Sequence, residues 1–221
     1  VIFNENGELV EKNDTEKKIT EPLEIKAEWN HGLWNSLQEA RVGTMIMPNN
    51  DGRKSYVKNA GGTLSIGTLT LKEGQDSPDQ VTKGSLEFYP EKANTVDKSG
   101  KTIEVNKVIL EANSSLRVMK SNDSNTAEGQ NGNGKFIKGN TSVRFGEVTM
   151  AENTALAFSA GEAHQKINES DTENKIGMPD SIIIDHITVN GVAEIVSGYQ
   201  ASKQAVIQVG SIDINKGDFS F

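Results

Sequence analysis

The sequence predicts an all-β chain: a parallel β-solenoid with an N-terminal cap region that contains one short helix. Three observations carry that prediction. An apolar pattern returns five times, most returns are spaced near 40 residues, and the chain is rich in glycine and poor in aromatics. With 21 glycines and 5% aromatic residues, it suits short strands and tight turns better than a broad aromatic core.

The pattern reads apolar-x-apolar, two polar or small residues, then apolar-x-apolar. Its copies are Leu64-Ser-Ile66-Gly-Thr-Leu69-Thr-Leu71, Ile103-Glu-Val105-Asn-Lys-Val108-Ile-Leu110 and Val143-Arg-Phe145-Gly-Glu-Val148-Thr-Met150. Ile182-Ile-Ile184-Asp-His-Ile187-Thr-Val189 and Ile207-Gln-Val209-Gly-Ser-Ile212-Asp-Ile214 complete the set. Alternation with period two marks strands with one buried face. The two-residue step breaks that alternation once, so the chain turns a corner and its apolar side faces inward again. A third element follows at Leu116-Arg-Val118, Leu156-Ala-Phe158, Ile195 with Val196, and Phe219-Ser-Phe221. It begins six positions after Leu110, Met150 and Val189. In the first copy it is delayed to Leu86-Glu-Phe88.

Ile66 to Val105 is 39 positions, Val105 to Phe145 is 40, Phe145 to Ile184 is 39, and Ile184 to Val209 is 25. Such periods belong to solenoids, propellers or arrays. A propeller blade needs four antiparallel strands, which 25 residues do not accommodate, and hairpin signals are few: Asn131-Gly132 and Asn190-Gly191. Three strands and two corners per copy therefore predict one coil of a parallel β-helix. Its core is expected to stack Ile66, Leu69 and Leu71 on Val105, Val108 and Leu110. The same columns should continue through Phe145, Val148 and Met150, then Ile184, Ile187 and Val189, then Val209, Ile212 and Ile214.

Residues 1–60 do not fit the repeat and are read as an irregular cap region, leaving 61–221 to the coils. Val1-Ile-Phe3 and Leu23-Glu-Ile25-Lys-Ala27 suit irregular strands. Trp29, Leu33, Trp34, Leu37 and Ala40 recur at helical spacing and predict one amphipathic helix from Glu28 to Arg41. That helix would cover the exposed strand edges at the open end of the solenoid. Its tryptophans are also the best aromatic ligand platform in the chain. Two polar insertions, 119–140 and 159–180, lack apolar periodicity and must sit outside the coils, where recognition commonly resides.

The formal net charge of −8 and the dispersion of 23 basic residues argue against a nucleic-acid partner. The absence of cysteine excludes disulfides, thiolate catalysis and Cys-ligated zinc. No apolar run approaches the ~20 residues of a membrane helix. The chain opens at Val1 without a signal segment and stops at Phe221 inside a strand pattern. It is expected to be a fragment of something longer, and an exposed terminal strand would permit end-to-end self-association.

Gly-Thr-Leu-Thr-Leu-Lys-Glu-Gly at 67–74 is similar to the coils of autotransporter passenger domains. So are Phe-Gly-Glu-Val-Thr-Met-Ala-Glu-Asn-Thr-Ala-Leu-Ala-Phe at 145–158 and Val-Gly-Ser-Ile-Asp-Ile-Asn-Lys-Gly-Asp-Phe-Ser-Phe at 209–221. The resemblance covers roughly residues 60–221. It implies a right-handed parallel β-helix, secreted to the surface of a Gram-negative bacterium beyond the outer membrane, as an adhesin or aggregation factor in virulence. The partners it implies are a host glycan, a host protein or a neighbouring cell surface. The insertions are longer than a plain passenger stalk needs, and no translocating barrel lies within these residues. Phage tailspikes and secreted polysaccharide lyases share the architecture, so the fold alone does not choose among them.

Candidate catalytic residues are few. Of the three histidines, His31 lies between the tryptophans, His164 in an insertion, and His186 at a corner beside Asp185. No G-x-S-x-G or H-x-x-x-H pattern accompanies them. Glycosidic cleavage needs two carboxylates on one groove, and Glu147 and Asp185, at the corners of successive copies, are the only pair worth testing. Asp97-Lys-Ser-Gly100 and Asn122-Asp-Ser-Asn125 offer oxygen ligands without calcium-loop spacing. Gly61-Gly62 precedes a strand and makes no phosphate loop. The expectation is a non-catalytic binding protein with no catalytic, cofactor or metal residues. The alternatives are a structural, fibre- or surface-layer-forming subunit, or a polysaccharide-degrading lyase, hydrolase or tailspike-like enzyme.

Overall fold

The computed structural model describes residues 16–19, 23–24, 32–50, 53–77, 80–89, 97–120, 137, 139–158, 179–197 and 206–221. They form two β-sheets in which every strand pair is parallel. The first sheet holds β1 (Glu16–Ile19), β2 (Leu23–Glu24), β4 (Glu39–Met47), β6 (Thr63–Leu71), β8 (Lys101–Leu110), β10 (Thr141–Met150), β12 (Ser181–Asn190) and β14 (Val206–Lys216). The second holds β3 (Gly32–Asn35), β5 (Lys54–Asn59), β7 (Thr82–Phe88), β9 (Ser114–Lys120), β11 (Thr154–Phe158), β13 (Ala193–Ser197) and β15 (Phe219–Ser220). From β3 onward the chain alternates between the sheets, and each strand pairs with the strand two further along. The all-parallel pairing rules out propeller blades and antiparallel meanders for the described residues.

The expected core columns form in register. Ile66 pairs with Val105, Leu69 with Val108 and Leu71 with Leu110. Phe145, Val148 and Met150 continue those columns, followed by Ile184, Ile187 and Val189, then Val209, Ile212 and Ile214. The first two apolar pairs of each copy lie in one long strand. The step between them is a gap in the pairing: β6 and β8 match Ile66 with Val105 and Thr68 with Lys107, passing over Gly67 and Asn106. Inward residues of both sheets build one apolar cluster, in which Phe145 of the first sheet meets Phe158 of the second at 6.5 Å between ring centroids. Burying one such side chain stabilises by about 1.5–3 kcal/mol.

The turns repeat as well. Residues 111–113 and 151–153 join β8 to β9 and β10 to β11, and both end on an asparagine in the left-handed region, Asn113 (φ 54°) and Asn153 (φ 55°). Asn153 Nδ2 donates to Asn113 Oδ1 at 2.7 Å, so equivalent turns are tied to each other. The hydroxyls of Ser114 and Thr154 close them by donating to the carbonyls of Glu111 (2.6 Å) and Ala151 (2.9 Å). At the other side of the sheets, buried Asn35 donates to Asn59 Oδ1 at 2.8 Å, and Asn59 to the carbonyls of Gly62 and Thr102.

Three expectations need correction. No helix forms in the described part of Glu28–Arg41: residues 32–35 are β3 and Glu39 opens β4, while 28–31 lie outside the described residues. The helical spacing arose because the turn at 36–38 shifts the strand period, bringing Leu33, Leu37 and Ala40 to one side. The repeat also starts earlier than residue 61. Ala40-Arg-Val42-Gly-Thr-Met45-Ile-Met47 is a further copy, paired residue for residue with Leu64–Leu71. Finally, two third elements sit in other registers than the sequence suggests. Gly84, not Leu86, lies opposite Leu116, because Met47 and Leu71 of the first sheet fill the space a side chain there would need. Phe219 lies opposite Ala193, two residues before Ile195, after a bulge in the β12–β14 pairing at Val189/Asn190.

β14 and β15 have a partner on one side only among the described residues. Ile214 is 54% exposed and Phe221 71%, whereas Val189, the partner of Ile214, is fully buried.

Candidate binding surface

Alternation along β3 and β5 sends Leu33, Asn35, Val57 and Asn59 into the core, where Leu86 and Phe88 of β7 join them; on β7 the outward-parity residues Ser85 and Glu87 are buried as well. The intervening residues therefore line the outer face of the second sheet. Across the strands, Trp34 pairs with Lys58 and Lys58 with Glu87, while Tyr56 pairs with Ser85 and Ser85 with Arg117. Lys54 and Lys83 form the next column. Lys58 Nζ lies 4.8 Å from the Tyr89 ring centroid, 4.9 Å from that of Tyr56 and 5.7 Å from that of Trp34. Trp34 and Tyr89 meet edge to face at 4.7 Å. Each cation–π contact contributes about 0.5–1 kcal/mol at an exposed site, so three rings hold the ammonium in place.

The surroundings of this cluster are built to match. Gly32 lies opposite Tyr56, and a β-carbon there would collide with the Tyr56 ring and carbonyl, so only glycine lets the ring lie over β3. Glu87 is 7% exposed and accepts a 2.8 Å hydrogen bond from the Ser85 hydroxyl. Burial, and after it the Glu87 charge, push the Tyr56 phenol above its ordinary value, so it stays a neutral donor at physiological pH. Beyond β9 the same face carries the small residues Ala155 and Ala157.

The corners of the first sheet carry the second candidate. Lys107, Glu147, His186 and Ser211 form one column. His186 Nδ1 lies 2.7 Å from Ser211 Oγ, and its Nε2 lies 3.2 Å from Thr188 Oγ1 and 3.5 Å from Asp213 Oδ2. Asp185 is engaged instead by Arg144, whose Nε and Nη2 donate to one carboxylate oxygen at 3.1 and 2.9 Å. The structure thus places Glu147 opposite His186 and ties Asp185 to Arg144. Ser211 lies in the Gly-Ser step of the fifth copy, whereas Thr188, Asp213 and Arg144, which no step of the apolar pattern marks, reach these corners from outward positions two residues away or in the next strand.

Asp97 takes no part in a cation loop. Its Oδ2 meets Lys101 Nζ at 2.9 Å, and Oδ1 accepts from the Ser99 backbone N–H and hydroxyl. Among the described residues, no three His, Asp or Glu side chains gather as metal ligands, and no helix is long and apolar enough to cross a membrane. Trp29, His31, His164 and Asn122–Asn125 lie outside the described residues, as does most of both insertions. Of the insertion ends, Met119 and Lys120 belong to β9, and Asp180 anchors the start of β12. Asp180 accepts from Lys120 Nζ (2.7 Å), Thr141 N (2.8 Å) and Thr141 Oγ1 (3.0 Å). Partial burial pushes its carboxyl up, yet these bonds and the lysine charge outweigh that and hold it below the usual Asp range.

Comparison with protein-family models, with curated proteins and with solved structures finds no match to this chain.

Proposed function

We propose that the chain is a right-handed parallel β-helix of the autotransporter-passenger kind, displayed at the surface of a Gram-negative bacterium, that binds its target and does not cleave it. In-register parallel ladders support the β-helix, and crossovers between parallel strands of one sheet are right-handed in ~98% of cases. One observation carries the binding reading: three aromatic rings and four cations share the outer face of the second sheet between β3 and β9. Side chains on a rigid sheet face are preorganised, so little ordering entropy is lost on binding. Catalysis by Glu147 with Asp185 is disfavoured because the Asp185 carboxylate is engaged by Arg144, while Glu147 lies opposite His186.

The test is a screen against glycans and host cells, run beside a polysaccharide degradation assay. The expected result is retention without depolymerisation, weakened by Trp34→Ala and by Tyr89→Ala. Degradation that vanishes in Glu147→Gln or Asp185→Asn would contradict the binding reading.

Exposed Ile212, Ile214 and Phe221 favour a second reading, self-association edge to edge as a fibre-forming subunit. Sedimentation that rises with concentration, and reverts to a monomer in Ile214→Lys, is its signature. A monomer at all concentrations rejects it.

A further inference from the structure

We infer that the outer face of the second sheet between β3 and β9 is a site for an acidic polysaccharide, a chain of sugar rings bearing carboxylate or sulfate groups. The inference rests on the binding reading above and names its ligand class.

Charge comes first. Among the described residues Lys54, Lys58, Lys83 and Arg117 lie on this stretch of the face against one carboxylate, Glu87, which is itself buried and hydrogen-bonded to Ser85. The whole chain carries −8, so this is a basic patch on an acidic protein. Screening lets the patch act by itself, because the Debye length is about 8 Å at physiological salt. Groups touching the face feel its cations, while the distant carboxylates are largely masked. Arg117 can clasp a carboxylate or sulfate with two donors, and the lysines serve as point charges.

The rings decide the class of anion. Trp34, Tyr56 and Tyr89 are half-buried and offer flat apolar surface with polar tips, which suits the C–H face and hydroxyls of a sugar. Lys58 is fixed at their centre by its three ring contacts. Among the described residues the exposed large hydrophobics, the anchors a protein partner would use, are Val192, Val196, Val206, Ile212, Ile214 and Phe221, all near the other end of the sheets. Ser85, Glu87 and Met119 are buried within this stretch, so a sugar chain rests on the half-buried rings and on the lysine and arginine tips around them.

Titration of the whole chain with heparin, polygalacturonate, dextran and single-stranded DNA tests this. Heparin and polygalacturonate should bind, more weakly as salt rises, while dextran and DNA should bind at least tenfold more weakly. Lys83→Glu combined with Arg117→Glu should lower affinity for both polyanions roughly tenfold or more at low salt, with an unchanged thermal midpoint. Lys107→Glu, on the first sheet, should leave affinity unchanged. Retained affinity in the double variant, equal binding of dextran or DNA, or no binding of either acidic polymer overturns the inference. A neutral glycan or a protein that binds and is lost in Trp34→Ala also overturns it, while leaving the binding reading standing.

Discussion

Lys101 and Asp97 form a buried ion pair, Nζ to Oδ2 at 2.9 Å, with the lysine only 1% exposed. The ammonium also donates to the carbonyls of Ala60 (2.6 Å) and Gly61 (3.2 Å), joining the start of β8 to the turn before β6. Removing one partner strands the other charge away from water, which typically costs 3–5 kcal/mol. Asp97→Ala and Lys101→Met should each lose about that much stability in urea unfolding. The double replacement Asp97→Leu with Lys101→Met should lose clearly less than the sum of the two.

The core columns predict a gradient of sensitivity. Ile187→Ala, in a fully buried position, should cost about 2–5 kcal/mol. Ile214→Ala, on the next strand of the same sheet and one column over but 54% exposed, should cost below about 1 kcal/mol. Denaturant midpoints of the two variants check this, and equal losses would show that the β14 edge is covered in solution.

Thr82 supplies a position where polarity is a liability. It pairs with Ser114, and Ser114 with Thr154, yet its buried hydroxyl alone of the three has no partner among the described residues. Thr82→Val should be neutral or stabilising by up to about 1 kcal/mol, whereas Ser114→Ala, which removes a bond that is made, should cost about 1 kcal/mol. Thermal melts of both variants distinguish the cases.

Asp180 predicts an acid-dependent term. Its carboxyl titrates below the ordinary Asp value of about 3.9, so the unfolded chain takes up its proton first as pH falls. The stability it contributes is complete above that ordinary value and disappears as pH falls through the lower folded value. The gap in urea midpoint between the parent chain and Asp180→Asn should therefore be constant above about pH 5 and shrink on acidification. A gap that widens below pH 4 would contradict the assignment.

The first sheet was legible because its inward columns are filled by large apolar residues, and period two survives in every copy from Leu64 to Ile214. The copy at Ala40–Met47 was obscured by Ala40, small enough to be passed over, and by Trp34, whose apolar ring points outward. The short strands were harder to read. Asn35, Asn59 and Gly84 occupy inward positions there, satisfied by an asparagine ladder or filled by Met47 and Leu71, so apolar alternation fails where the structure is most regular. The same outward turn of Trp34 concealed the aromatic and basic cluster on the second sheet. Tyr56, Lys58 and Tyr89 sit 22, 24 and 55 positions after Trp34, and only the parallel register brings them together.

Amide shift mapping tests the central claim, that a rigid face of the second sheet is the binding site, most directly. Isotope-labelled protein titrated with a short heparin fragment should shift the amides of 54–58, 83–89 and 115–119, leaving those around His186 and Ser211 unmoved. Shifts concentrated at His186, Ser211 and Glu147, with the second sheet silent, would contradict it.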